Sequence, residues 1–228
     1  MLQGKVVSLR GVEKDDLDRI REWLTDPELL HLLGARPVPI SNIEADKLPE
    51  LFRLRDGRVL AITARDRGML GLIAVGNFHE FNRTAQILVL IGDRGEWNRG
   101  YGTDALRSVT RFAFEDLNLN CVEAQIPEFN ARALRAFGKV GFQEEGRLRS
   151  RLFLRGRYWD VVSFSALRDS WNGERAADPT AAVSSATPPP GSAVEPMTGV
   201  RAEPAPEPRP QVPAEPRPMP IGGVESTT

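Results

Sequence analysis

Cysteine and histidine are nearly absent from this chain: one cysteine, Cys121, and two histidines, His31 and His79, in 228 residues. A single thiol excludes a disulfide framework and a thiolate metal cluster. Two imidazoles offer no basis for a His-ligated centre, so no metal is expected. An excess of one charge is also missing. Thirty Lys and Arg face 31 Asp and Glu, a net −1, unlike the basic surplus of a bulk nucleic-acid binder. No apolar run reaches the roughly 18 residues of a membrane span. The opening MLQGKVVSLRG lacks the apolar core of about 7–15 residues that marks a secretion signal. The expectation is a soluble cytoplasmic protein with neither nucleic acid nor membrane as partner.

Aromatic residues are missing altogether from 174–228, where 13 of the 18 prolines crowd into 179–220. Such a segment cannot bury enough apolar surface to offset chain entropy. It reads as a disordered, Pro-rich tail with polyproline II character. Its seven acids and four arginines give it −3. A short repeat, PEPRP (206–210) and AEPRP (214–218), suits a solvated spacer or a ligand for a proline-recognition module. Residues 1–173 keep +2 and read as one mixed α/β domain.

Within that domain, residues 5–9 read as a first strand. Leu17, Ile20 and Leu24 recur at helical spacing, and Asp26-Pro27 ends that helix. Residues 42–54 read as a second helix, weakened by Pro49. Strands follow over 59–64, 69–77 and 85–91. The last, AQILVLI, has the apolar content of a strand covered on both faces. Residues 100–117 form the best helix and 122–126 a short strand. A helix over 130–140 has Asn130 as N-cap and Gly141 as C-cap. Residues 143–154 and 158–167 pair as a hairpin. The strand–helix–strand–helix order implies at least one parallel pairing.

Chemistry concentrates where strand 85–91 runs into Gly92, Gly95, Gly100 and Gly102 and then a helix. The first N–H groups of a helix lack intrahelical partners and carry partial positive charge. Glycine lets a ligand approach the backbone. The combination is a phosphate cradle, to which Arg99 adds a cation; the plainer reading is that the glycines only turn the chain. GxxxxGK[ST] is absent, and Gly100-Tyr101-Gly102 followed by Thr103-Asp104-Ala105 does not complete GxGxxG. Asp104 suits the first turn of the helix. Cys121 reads as a small apolar filler.

The stretches VSLRGVEKDDLDRIREWLTDPEL (7–29), WNRGYGTDAL (97–106), FAFEDLNLN (112–120), EFNARALRAFGKVGFQEEGRL (128–148) and GRYWDVVSFSAL (156–167) resemble the GCN5-related N-acetyltransferases (GNAT). The nearest branch holds ribosomal-protein alanine and spermidine acetyltransferases, and the resemblance spans about 1–171. It implies an α+β fold, with a central twisted, mixed but mostly antiparallel sheet flanked by helices. It also implies direct acetyl transfer from acetyl-CoA, a co-substrate, to a primary amine: a protein N-terminus or a small amine such as a polyamine. The family's Q/R-x-x-G-x-G/A falls on Trp97-Asn98-Arg99-Gly100-Tyr101-Gly102, with Trp97 replacing the Gln or Arg. Backbone N–H groups from there to Thr103 would hold the diphosphate. The pantetheine arm would lie along Val89-Leu90-Ile91, where the family carries a bulge that turns one N–H toward the thioester. Asn130 would touch the cofactor, and Arg132 and Arg135 lie near the nucleotide's path.

One departure stands out. The family's proton-donating Tyr falls on Phe137, placed among the cofactor residues but without a hydroxyl. Coenzyme A then leaves unassisted, or another acid such as Tyr101 substitutes, or the protein is a catalytically weak acyl-CoA-binding regulator. A base must take the ammonium proton; Glu80, Glu128 and His79 are the candidates, each also readable as a surface residue. The phrase FLRGRYWDV resembles a hairpin that shapes the acceptor pocket or a dimer contact, which leaves a homodimer open.

Overall fold

One carboxylate reshapes the start of the chain. In the computed structural model, which describes residues 1–35 and 47–172, Asp104 accepts hydrogen bonds from the backbone N–H groups of Lys5 (3.1 Å), Val6 (2.8 Å) and Val7 (3.1 Å). These donors therefore cannot join a ladder. The strand expected over 5–9 becomes a turn between β1 (Leu2–Gln3) and β2 (Ser8–Gly11). A Cβ on Gly4 would lie 2.4 Å from Asp104 Oδ2, so the turn needs glycine there.

α1 (Leu17–Thr25) buries Ile20, Trp23 and Leu24. Asp26 ends it, as expected, but opens a new helix rather than a loop. Its carboxylate accepts from the N–H groups of Glu28 (2.8 Å) and Leu29 (3.2 Å), and Pro27 takes the first position of α2 (Pro27–Leu32). Of the helix expected over 42–54, α3 (Leu48–Leu51) is seen; residues 42–46 and the Pro-rich tail 174–228 lie outside the described residues. The remaining elements fall within a few residues of expectation: β3 (Arg58–Ala64), β4 (Gly68–His79), β5 (Thr84–Ile91), α4 (Tyr101–Glu115), β6 (Cys121–Pro127), α5 (Ala131–Val140), β7 (Gln143–Leu154) and β8 (Arg157–Leu167). None of the described helices is long and apolar enough to cross a membrane.

The eight strands form one sheet in the order β1-β2-β3-β4-β5-β6-β8-β7. Every pairing is antiparallel except β5 with β6. Strand alternation sends side chains to two cores. On one face Ile73, Ile87 and Val122 pack against Leu106, Val109 and Ala113 of α4 and Val140 of α5. On the other, Leu72 and Leu90 pack against Ile20, Trp23 and Leu24 of α1 and Leu29 of α2. Gly92, just past β5, lies flat on Trp23: a Cβ there would come within 2.0 Å of the indole.

Candidate active site

The parallel pair is short. β5 and β6 meet only at Thr84, Ala85 and Gln86 against Cys121, Val122 and Glu123. Beyond Gln86 the strands separate. β6 continues against β8 as far as Pro127, while β5 continues against β4 as far as Ile91. The result is a wedge-shaped opening in the sheet. Across β4, Gly92 N–H donates to Leu70 O at 3.0 Å. Antiparallel alternation then turns the backbone groups of Leu90 and Leu88 toward β4, and those of Ile91 and Val89 into the opening. The β4–β5 register runs unbroken from Gly71/Ile91 to Gly76/Gln86. The expected bulge is thus absent; the divergence of β6, rather than an inserted residue, exposes the edge. β5 is covered on both faces, as expected, with Ile87 packed in the α4 core and Leu90 in the α1–α2 core, while Val89 and Ile91 are half-buried because they look into a cleft.

That cleft has a volume of about 260 Å³ and is walled by β5, the loop to α4, the first turn of α4, α2 and α5. Gly100 holds φ +88° and Asn98 +62°, which turns the chain sharply into α4. A Cβ on Gly100 would meet nothing within 4 Å, and Gly100 is among the residues that line the cleft. The first intrahelical bond of α4 runs from Asp104 N–H to Gly100 O (2.9 Å), and no side chain caps this end. The N–H groups of Tyr101, Gly102 and Thr103 therefore lack intrahelical partners.

Trp97 braces the loop. Its indole N–H donates to Ile91 O (2.7 Å), and the Arg132 guanidinium lies 3.5 Å above its ring. This cation–π contact ties α5 to the loop across the cleft. Arg132, Arg135 and Lys139 repeat along one face of α5 and line the wall. Burial lowers the proton affinity of Arg132; Glu28 opposes this and Arg135 and Arg94 add to it. Among the described residues the one carboxylate on the wall is Glu96, 7% exposed. It accepts from Arg67 at 2.8 Å and faces Arg99 at 3.4 Å, and so pins the loop. Arg99, expected to supply the cation, is drawn to Glu96 and is off the cleft wall; Arg132 supplies charge in its place.

Nine further expected cofactor residues do line the cleft: Val89, Leu90, Ile91, Trp97, Asn98, Gly100, Tyr101, Gly102 and Thr103. Asn130 joins them, but both ends of its amide are engaged. It caps α5 by accepting from Ala133 N–H (3.1 Å) and donates to Leu32 O (2.9 Å). Phe137 is off the wall. It is 2% exposed and packs edge-to-face on Phe142, 5.0 Å between centroids. A ring without a hydroxyl keeps nothing polar at a cleft, and the core recruits it.

None of the three expected bases lines the cleft. His79 pairs with Thr84 at the start of β5, about 17 Å from Val89 at a strand rise of about 3.3 Å per residue. Its Nδ1 accepts from Asn82 N–H (3.1 Å) and closes the hairpin, and exposed Glu80 shares that turn. Glu128 follows β6 directly, and its Oε1 accepts from Asp160 N–H (3.2 Å). Cys121 is buried, with its thiol pushed up to about 11 by burial, Glu123 and Glu145; it is a filler, as expected. Residues without an expected role complete the site. Leu29, Leu32 and Leu33 form the α2 wall. Beside them His31 stacks on Phe129, 4.3 Å between centroids and 5° from parallel, with Trp159 edge-on to both. His31 Nδ1 has no hydrogen-bond partner. Burial, then Arg155 and Arg157, lower its proton affinity from the ordinary 6.5, against Glu28.

A pH test follows from His31. Its folded pKa lies below the unfolded one, so between them the unfolded chain binds more protons and stability rises with pH. The contribution of neutral His31 is complete above about pH 6.5 and is lost as pH falls toward the folded value. The melting temperature of the wild type is expected to drop more between about pH 7 and pH 5.5 than that of His31→Phe, which keeps the ring stack but cannot titrate. Parallel curves would remove the linkage.

Comparison with known proteins agrees with this architecture. The family model for the acetyltransferase (GNAT) domain matches residues 7–143. The chain belongs to that family: it is an N-acetyltransferase that uses acetyl-CoA. It is 26% identical over 171 residues to the uncharacterized N-acetyltransferase p20 of Bacillus licheniformis, covering 73% of this chain and 96% of the relative. It is 34% identical over 110 residues to the putative ribosomal N-acetyltransferase YdaF of Bacillus subtilis, 48% and 60% of the two chains. The crystal structure of spermidine N-acetyltransferase from Vibrio cholerae in complex with CoA and spermine superposes with TM-score 0.62 at 23% identity, over 72% of this chain and 96% of that one. It shares the fold, a mixed sheet flanked by helices.

Proposed function

We propose that the wedge between β5 and β6 is the acetyl-CoA site and that the acetyl group passes there to a primary amine, borne by a protein N-terminus or by a small amine such as a polyamine. The observation that carries this reading is the open β5 edge beside an uncapped helix N-terminus. An extended amide chain can pair with the outward N–H and C=O of Val89 as an added strand. Phosphates fit the N–H groups of Tyr101, Gly102 and Thr103, with Arg132, Arg135 and Lys139 as counter-charges. When bound, acetyl-CoA supplies the activated acetyl group. The chain's own groups then divide the work. The β5 backbone orients, Trp97 fixes the loop and the Arg132 cation, and the α2 leucines exclude water from the side left for the acceptor. Tyr101 lines the cleft; its hydroxyl would give a proton to the departing thiolate and regain one from solvent, a role that Phe137, without a hydroxyl, cannot fill.

Calorimetric titration of the full chain with CoA, paired with a free-thiol assay over a panel of amines, tests this. Saturable CoA binding with thiol release on at least one amine is expected. Tyr101→Phe is expected to lower kcat about tenfold or more while CoA affinity stays within about threefold. No CoA binding by folded protein would overturn the site; unchanged kcat would remove Tyr101 from the chemistry.

A further inference from the structure

The α2 wall is rimmed by cations that the fold does not neutralise. The β7–β8 hairpin leans on α2: Arg155 donates to Pro27 O (3.2 Å), and a Cβ on Gly34 would lie 2.9 Å from Leu152. Trp159, which meets His31 and Phe129, carries the Arg157 guanidinium 3.3 Å above its ring. Residues 147–159 hold five arginines and no acid. Arg147 pairs with Glu144 at 3.0 Å. Arg149, Arg151, Arg155 and Arg157 pair with no carboxylate among the described residues.

The nearby acids are engaged. Glu28 pairs with Arg94. Glu128 accepts from Asp160 N–H, and Asp160 Oδ1 from Ser150 N–H at 2.8 Å. Amide hydrogen bonds leave Glu128 and Asp160 charged, but Arg149, Arg151, Arg155 and Arg157 outnumber them, so the rim is net positive among the described residues; Arg155 and Arg157 lower the proton affinity of His31 and Glu28 raises it.

We infer that the acceptor is a peptide N-terminus followed within a few residues by Asp or Glu, whose carboxylates dock on Arg155 and Arg157 at the α2 side of the cleft. This rests on the reading of the wedge as the acetyl-CoA site. Arginine guanidinium matches a carboxylate through two parallel hydrogen bonds. A polyamine would bring like charges against the same rim. The field also serves the reaction. An ammonium must lose a proton to solvent before its nitrogen can attack, and nearby cations lower its pKa. Among the described residues the wall offers no free carboxylate for that task, since Glu96 is held by Arg67.

The test uses the full chain and three acceptors: a peptide beginning Ser-Asp-Glu, one beginning Ser-Lys-Lys, and spermidine. Thiol release gives kcat/KM, and calorimetry gives the peptides' Kd without turnover. The acidic peptide is expected to lead both others by at least about tenfold in kcat/KM and to bind more tightly than the basic one. Arg155→Gln with Arg157→Gln is expected to erase the difference, and Arg157→Lys to keep part of it; both residues lie on an exposed hairpin, and circular dichroism checks folding. A preference for spermidine or the basic peptide would overturn the inference, as would a double variant that leaves both Kd and kcat/KM unchanged. If CoA itself fails to bind, the site reading falls and this inference with it. If CoA binds and the acidic preference is absent, this inference alone falls.

Discussion

Thr103→Glu is expected to weaken CoA binding about 100-fold while leaving the fold as stable as before or slightly more so. Position 103 is the third residue of α4 and lines the cleft. An acid in the first turn complements the partial positive charge of a helix start, gaining about 0.3–1 kcal/mol. The same acid sits where the proposed diphosphate would lie. Two like charges about 5 Å apart at an effective dielectric of about 20 repel by about 3 kcal/mol, or about two decades in Kd. The variant thus separates stability from binding. Thr103→Val should bind CoA within a few-fold of the wild type, because backbone N–H groups rather than the hydroxyl are assigned the phosphates. Thermal melts and calorimetry check both; CoA affinity surviving the glutamate would move the phosphates elsewhere.

The second large effect is expected from Val89→Pro. Its neighbour makes the contrast. Leu90 directs its backbone toward β4: a Cβ on Gly71 would come within 2.1 Å of Leu90 O. Proline at 90 would remove a ladder bond and is expected to unfold the sheet. Proline at 89 removes an N–H that faces the opening, a position an edge tolerates, and should cost about 1 kcal/mol or less. It also removes the donor assigned to the extended arm, and an N–H at this edge is the one that would meet developing negative charge if the thioester lies beside it. Loss of one such donor typically lowers kcat by about 10²–10³. A folded Val89→Pro enzyme with turnover near that of the wild type would show that this edge does not hold the donor.

Much of this site was legible in order along the chain. The strand, the glycines and the helix start are contiguous, and their local chemistry survives folding, so residues 89–91 and 97–103 met where expected apart from Arg99. What failed depended on distance. His79 and Glu80 are correctly adjacent to a strand, but only its pairing direction reveals that they sit at the wrong end. Arg132 lies on the cleft wall near the nucleotide's expected path, but its contact with Trp97, 35 positions away, is announced by no periodicity. α2 was hidden by ambiguity: Asp-Pro reads as a stop for α1 and equally as an N-cap and first residue of another helix. A following Glu-Leu-Leu was the available signal. Lys5 to Val7 looked like a strand because the carboxylate that claims their amides lies nearly 100 residues further on.

Grip through the peptide chain itself has a consequence for descent. Main-chain N–H groups cannot be lost by point substitution, except to proline, so under the proposed assignment residues 99 and 101 can be exchanged and the diphosphate still held. What inheritance must guard is torsional: the left-handed kink at Gly100 and the splayed strands. Under the proposed assignment, the choice of amine is then left to the side chains of the opposite rim.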